Sequence, residues 1–175
     1  DRDEAAALVQ AYNDWHIESW CGAYPGRFIP LALPMMWDVD KMAAEVRRVA
    51  DKGCHAVTFS ENPVHLGYPS IHSGHWDKFF ATCEEVGTVV NVHIGSSSKM
   101  VITADDAPMS VLITLSPINI VQAAADFVWS AAAQKFPKMK YALSEGGIGW
   151  SPYFRERIDY TFDRPPTEIV RFTAT

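Results

Sequence analysis

At 175 residues, 48% of them hydrophobic and 21% charged, the chain can bury a sizeable core and is globular rather than disordered. Its formal net charge of −6 argues against nucleic acid or an anionic membrane as the main partner, because both require a cationic face; a small molecule or another protein is the expected partner. Cys21, Cys54 and Cys83 form no CxxC pair, the first residues are charged rather than basic-then-apolar, and no apolar stretch reads as a membrane span, so a reducing, cytoplasmic setting is expected.

Residues 3–20 place Ala, Leu, Val, Tyr and Trp at helical spacing, and Gly22, Pro25 and Gly26 stop the helix. Residues 27–33, an apolar run closed by Pro34, predict a strand buried on both faces. Asp38 is a good N-cap for a helix through Met42, Val46 and Val49 that Gly53 ends. Residues 55–60 follow as the second strand. Residues 61–74 hold two prolines, two glycines and two histidines without periodicity and read as a long loop of the kind that is often functional.

A helix fits residues 76–86, ended by Gly87, and the β-branched run 88–94 is the third strand. Gly95 and three serines make a flexible loop, residues 104–116 carry no clear pattern, and residues 117–136 read as one long apolar helix with Pro at its first turn. Residues 140–144 are the fourth strand, and linker-like composition appears only near Arg164, Pro165 and Pro166. Four buried strands separated by helices predict a single α/β domain over residues 1–175 with a parallel sheet. A complete (β/α)8 barrel takes about 250 residues, so the sheet is either open or part of a barrel.

In such architectures the working groups sit at the carboxyl ends of strands. Three places qualify: Glu61 with Asn62, His93, and Ser144 with Glu145. His93 stands near the mouth of the run Val89 to Val92, where an imidazole either ligates a divalent metal or hydrogen-bonds a neighbouring strand. Glu145 precedes Gly146 and Gly147, so its carboxylate is either a metal-site or general-base group or a capping, salt-bridged one. Ser144 lacks a Gly-x-Ser-x-Gly setting and is not a nucleophile. Of His65, His72 and His75, beside Tyr68 and Trp76, His72 is the candidate pocket residue. Arg47, Arg48 and the run Arg155, Glu156, Arg157 read as solvated helix faces.

Taken together, AYNDW at residues 11–15, residues 27–33 with Trp37 and Asp38, residues 53–63 running on to Pro69-Ser70-Ile71-His72-Ser73, VHIGS at 92–96, and residues 136–150 with Ser144-Glu145-Gly146-Gly147 resemble the amidohydrolase-2 group of metal-dependent hydrolases, which includes aminocarboxymuconate-semialdehyde decarboxylase-like enzymes. The resemblance implies a (β/α)8 barrel, here partial or truncated, whose mouth holds a divalent metal: zinc, with manganese or iron as alternatives. It implies a hydrolase or decarboxylase acting on a small carboxylated or aromatic substrate, with His93 as metal ligand and Glu145 catalytic; from their places at strand ends or in the long loop, Glu61, Asn62, His72 and Ser144 are expected to face substrate. Glu145 stands where many relatives carry a histidine.

The His-x-His pair expected on a first strand and the aspartate expected on a last strand are not found in the sequence, and residues 161–175 supply no such aspartate. Catalytic zinc needs at least three protein ligands, so a full ligand set requires another source. The alternative is a non-catalytic barrel piece that binds a small molecule or self-assembles. Exposed sheet edges favour homo-oligomers in either case.

Overall fold

The computed structural model describes residues 1–164. Helix α1, Arg2–Asp14, runs without interruption into a π-helical segment, Trp15–Cys21. Helix α2, Val39–Ala50, starts at Asp38, whose carboxylate accepts from the Asp40 and Lys41 N–H groups. Strand β1, Ala56–Ser60, is followed by two short 3-10 turns, Pro63–Leu66 and Ile71–Ser73, so the expected loop carries some regular structure of its own. Helix α3, Asp77–Glu85, and strand β2, Val89–His93, come next. The stretch without a clear pattern holds helix α4, Met109–Leu115.

The single helix expected over residues 117–136 is two helices, α5, Ile118–Trp129, and α6, Ala131–Lys135. Between them Ser130 takes an extended conformation, φ −79° and ψ 150°, and its hydroxyl donates to the Phe127 carbonyl in place of the helical ladder. Strand β3, Lys140–Ser144, and helix α7, Ser151–Asp163, complete the described chain. Pro165 and Pro166, read as linker-like, lie outside the described residues. Residues 109–129 also correct the expectation about apolar stretches: they form a nearly continuous helical run of 21 residues, apolar and long enough to cross a bilayer by length and composition alone. Ile120, Ala123, Ala124 and Phe127 of that run are buried in the core.

The three strands form one parallel sheet in the order β1-β2-β3, with Thr58, Asn91 and Ala142 in one row and Ser60, His93 and Ser144 two rows on. The fourth strand expected over residues 27–33 is reduced to a single parallel bridge between Ala32 and Val57. Proline explains the difference. Ala32 donates to the Ala56 carbonyl and accepts from Thr58, and the next residues facing the same edge are Pro30 and Pro34, neither of which has an N–H to extend the ladder. On the opposite edge the side-chain amide of Asn13 takes over both groups of Leu33, its Oδ1 accepting from the Leu33 N–H at 2.8 Å and its Nδ2 donating to the Leu33 carbonyl at 3.0 Å. The segment is not buried on both faces; Ile29 is 86% exposed.

Asn13 is itself buried and donates to Glu45, whose carboxylate also receives Arg48. Burial pushes the Glu45 carboxyl up, but the combined pull of Arg48, Asn13 and Gln10 holds it below its ordinary value. The main core lies on one face of the sheet, where Val57, Phe59, Val90 and Val92 meet Met42 and Val46 of α2, Phe79, Phe80 and Cys83 of α3, and Ile120 and Phe127 of α5. Phe59 stacks on Phe79 with ring centroids 5.5 Å apart. Burial in this layer pushes the Cys83 thiol up to about 12, and all three cysteines are free and buried, which leaves them the role of small hydrophobes.

Candidate active site

Because side chains alternate along a strand, the residues between the core positions point to the opposite face of the sheet. There Thr58 and Ser60 of β1, Asn91 and His93 of β2, and Ser144 of β3 line a cavity of about 480 Å³, walled by Leu31, Leu33, Pro34 and Met36 and by Val9 of α1. The expectation of four buried strands does not single out this polar layer, although the alternation Val57-Thr58-Phe59-Ser60 and Val90-Asn91-Val92-His93 spells it out. Thr58, Ser60 and Asn91 are strand residues of the lining that strand-end position alone does not single out. Asn91 is anchored through its Nδ2, which donates to the Val89 carbonyl at 3.1 Å.

His93 ends β2 and Glu145 follows β3, and the parallel register sets them side by side, with Nε2 of His93 3.5 Å from Oε2 of Glu145. Both are open to solvent, their side chains 53% and 69% exposed. The Nδ1 of His93 lies 2.7 Å from the Ile94 carbonyl oxygen, a contact that assigns the ring proton to Nδ1 in the neutral imidazole. The Nε2 lone pair then faces the carboxylate. Two acceptors at 3.5 Å can share a proton or bracket a cation, and a ring N–H donated to a backbone carbonyl is the usual orientation of a metal-ligating histidine.

Glu145 holds this place at a conformational cost. Its φ is +60°, in the left-handed region where a non-glycine residue is uncommon. The turn cannot relax easily, because the following Gly146 lies flat against α5: a Cβ there would stand 2.3 Å from Cγ2 of Ile120. Trp150 tightens the turn further by donating from Nε1 to the Gly146 carbonyl at 2.7 Å.

The other candidates fall in different places. Ser144 lines the cavity beside His93. Glu61, only 4% exposed, is turned inward under the loop after β2, where Gly95, Ser97 and Asn119 donate to its carboxylate. Asn62 caps the first 3-10 turn, its Oδ1 accepting from the Val64 N–H at 3.1 Å. His72 sits on the second 3-10 turn, away from the cavity lining, with Nε2 3.2 Å from Oδ1 of Asp126 on α5.

As a metal centre the arrangement is incomplete. His93 and Glu145 approach within 3.5 Å, but among the described residues no group of three His, Cys, Asp or Glu side chains converges. Two donors are fewer than the three that a catalytic zinc takes from its protein.

Comparison with known proteins places the chain. A family model described as amidohydrolase matches residues 1–169. Among solved structures, an amidohydrolase from Mycobacterium avium subsp. paratuberculosis superposes with a TM-score of 0.74 at 23% identity, covering 93% of this chain and 44% of that one. The 2,6-dihydroxybenzoate decarboxylase from Rhizobium superposes with a TM-score of 0.65 at 18% identity, covering 98% of this chain and 55% of that one. At such identities the likeness is one of fold. The chain spans about half the length of these structures, and its open parallel sheet corresponds to part of a (β/α)8 barrel. No curated protein matches the chain.

Proposed function

The chain belongs to the amidohydrolase family, and from that premise we propose that it carries the working mouth of a hydrolase or decarboxylase for a small carboxylated or aromatic substrate. The observation that supports this most directly is the approach of Glu145 to His93, which itself lines a cavity with a polar floor and apolar walls. A cavity of this size suits a small molecule. Leu31, Leu33, Pro34 and Met36 would grip an apolar or aromatic body, while Thr58, Asn91 and Ser144 would orient its polar edge. His93 and Glu145 would hold or move a proton at that edge.

The family uses a divalent metal, and a zinc, manganese or iron ion bound at His93 would need further donors from outside the described residues. Elemental analysis of the purified chain tests the assignment of His93: near-stoichiometric metal that is lost in His93→Ala supports it, and metal-free protein with an unchanged His93→Ala overturns it.

Two further readings follow the same premise. The acidic surface favours a small-molecule ligand over nucleic acid or membrane, and three free, buried cysteines favour the cytoplasm. The sheet presents an edge at β3 that pairs with no further strand among the described residues, which favours self-association and leaves room for a non-catalytic, assembling role. Light scattering separates these: a stable dimer lacking metal and turnover would favour assembly over catalysis.

A further inference from the structure

We infer that Glu61 is a positioning residue that holds His93 in its working orientation from beneath. This rests on His93 being the working imidazole of the mouth. The carboxylate of Glu61 is buried, and every partner it has is neutral: Oε1 accepts from the Gly95 N–H at 3.0 Å, the Ser97 hydroxyl at 2.7 Å and the Asn119 amide at 3.1 Å, and Oε2 shares the Gly95 N–H at 3.1 Å. Burying a carboxylate among dipoles is unfavourable unless it is hydrogen-bonded, so the three donors that satisfy it are held closely.

Two of its three donors, Gly95 and Ser97, lie in the turn that follows His93. Gly95 has φ +76° and starts that turn, and Ser97 is fully buried within it. Ser96 closes the ring, its hydroxyl donating to the His93 carbonyl at 2.6 Å and accepting from the Glu61 N–H at 2.9 Å. The Ile94 carbonyl that receives the His93 ring proton lies between the two anchored positions. Glu61 therefore fixes the acceptor that sets the tautomer of His93.

The same device reaches the second working group. Asn119, which donates to Glu61 and to the Lys99 carbonyl, is followed on α5 by Ile120, the residue pressed against Gly146 in the Glu145 turn. One turn of α5 thus clamps both strand-end turns, and the 3.5 Å approach of His93 to Glu145 depends on both. Oε1 takes three donors and Oε2 only a shared one, so Glu61→Gln can keep its carbonyl at the Oε1 position and preserve most of the set.

The test reads the imidazole nitrogens by long-range 15N NMR at fixed pH on histidine-labelled protein, with the His93 signals assigned by their loss in His93→Ala. Glu61→Ala should abolish the single-tautomer pattern of His93, while His16, His55, His72 and His75 keep theirs and unfolding stays cooperative. Glu61→Gln should restore it. Unchanged His93 signals in folded Glu61→Ala, or Glu61→Gln as disruptive as Glu61→Ala, would overturn the inference. Should Glu61→Ala fail to fold, Asn119→Ala decides: a moved His93 pattern supports the role and an unmoved one refutes it. No substrate or metal enters the measurement, so a chain that proves metal-free or inactive leaves the result interpretable.

Discussion

On the helix-covered face of the sheet Val57, Phe59, Val90 and Val92 are sealed against aromatic rings, whereas on the other face Thr58, Asn91, His93 and Ser144 open onto a cavity. The same three short strands supply both sets by alternation. The covered face carries the apolar area whose removal from water stabilises the fold; the open face leaves hydrogen-bonding groups free for a ligand. Stability and the proposed chemistry are therefore separated by the pleat of the strand, and each can be perturbed with the other as its control.

The largest effect is expected on the covered face. Phe80 is fully buried and packs on Phe59, Phe79 and Phe127, so Phe80→Ala should lower the unfolding free energy by about 3–5 kcal/mol, measured by denaturant titration. A loss below about 1 kcal/mol would mean that this layer collapses freely and is not the anchor of the sheet. Gly146→Ala comes next, because its new methyl meets Ile120 through Cβ as well as Cγ2, and trimming Ile120 to Val would not make room. Overpacking of this kind costs about 1–3 kcal/mol, and the double variant Gly146→Ala with Ile120→Val should be no more stable than the single one.

Glu145→Gly should act in the opposite direction. Glycine adopts the left-handed conformation freely, so relief of φ +60° should raise stability by about 1 kcal/mol while the partner of His93 disappears. A variant that is more stable and has lost its metal or ligand would show strain kept for a working role. A variant that is less stable would make Glu145 a structural residue and erase the contrast between the faces.

How much of this was legible depends on how far apart in sequence the deciding groups stand. Helix α2 could be read from Asp38 and Gly53, and β3 from its own residues, because caps and short apolar runs are local signals. The run 27–33 misleads because its apolar content predicts a strand and Pro34 reads only as its end, whereas the prolines two residues either side of Ala32 decide how many ladder bonds can form. The meeting of His93 and Glu145 follows from each standing at a strand end once β2 and β3 are neighbours, which sequence spacing does not state. Glu61 was drawn toward the substrate by the same strand-end logic. What turns it inward are donors 34 to 58 residues away, and no local pattern announces them.

The smallest expected effect is also the closest test of the separation. Ser144 stands in one row with Ser60 and His93, lines the cavity, and follows Leu143, which belongs to the covered face. Ser144→Ala removes one hydroxyl from the open face and nothing from the core, so unfolding should change by no more than about 0.5 kcal/mol. Binding of a small aromatic carboxylate such as benzoate, followed by ligand-detected NMR, should weaken in the same variant because a polar contact to the ligand edge is gone. A destabilisation beyond about 1 kcal/mol with binding intact would place that hydroxyl in the fold instead, and would show that the pleat does not divide the two tasks at the strand ends, where His93 and Glu145 also stand.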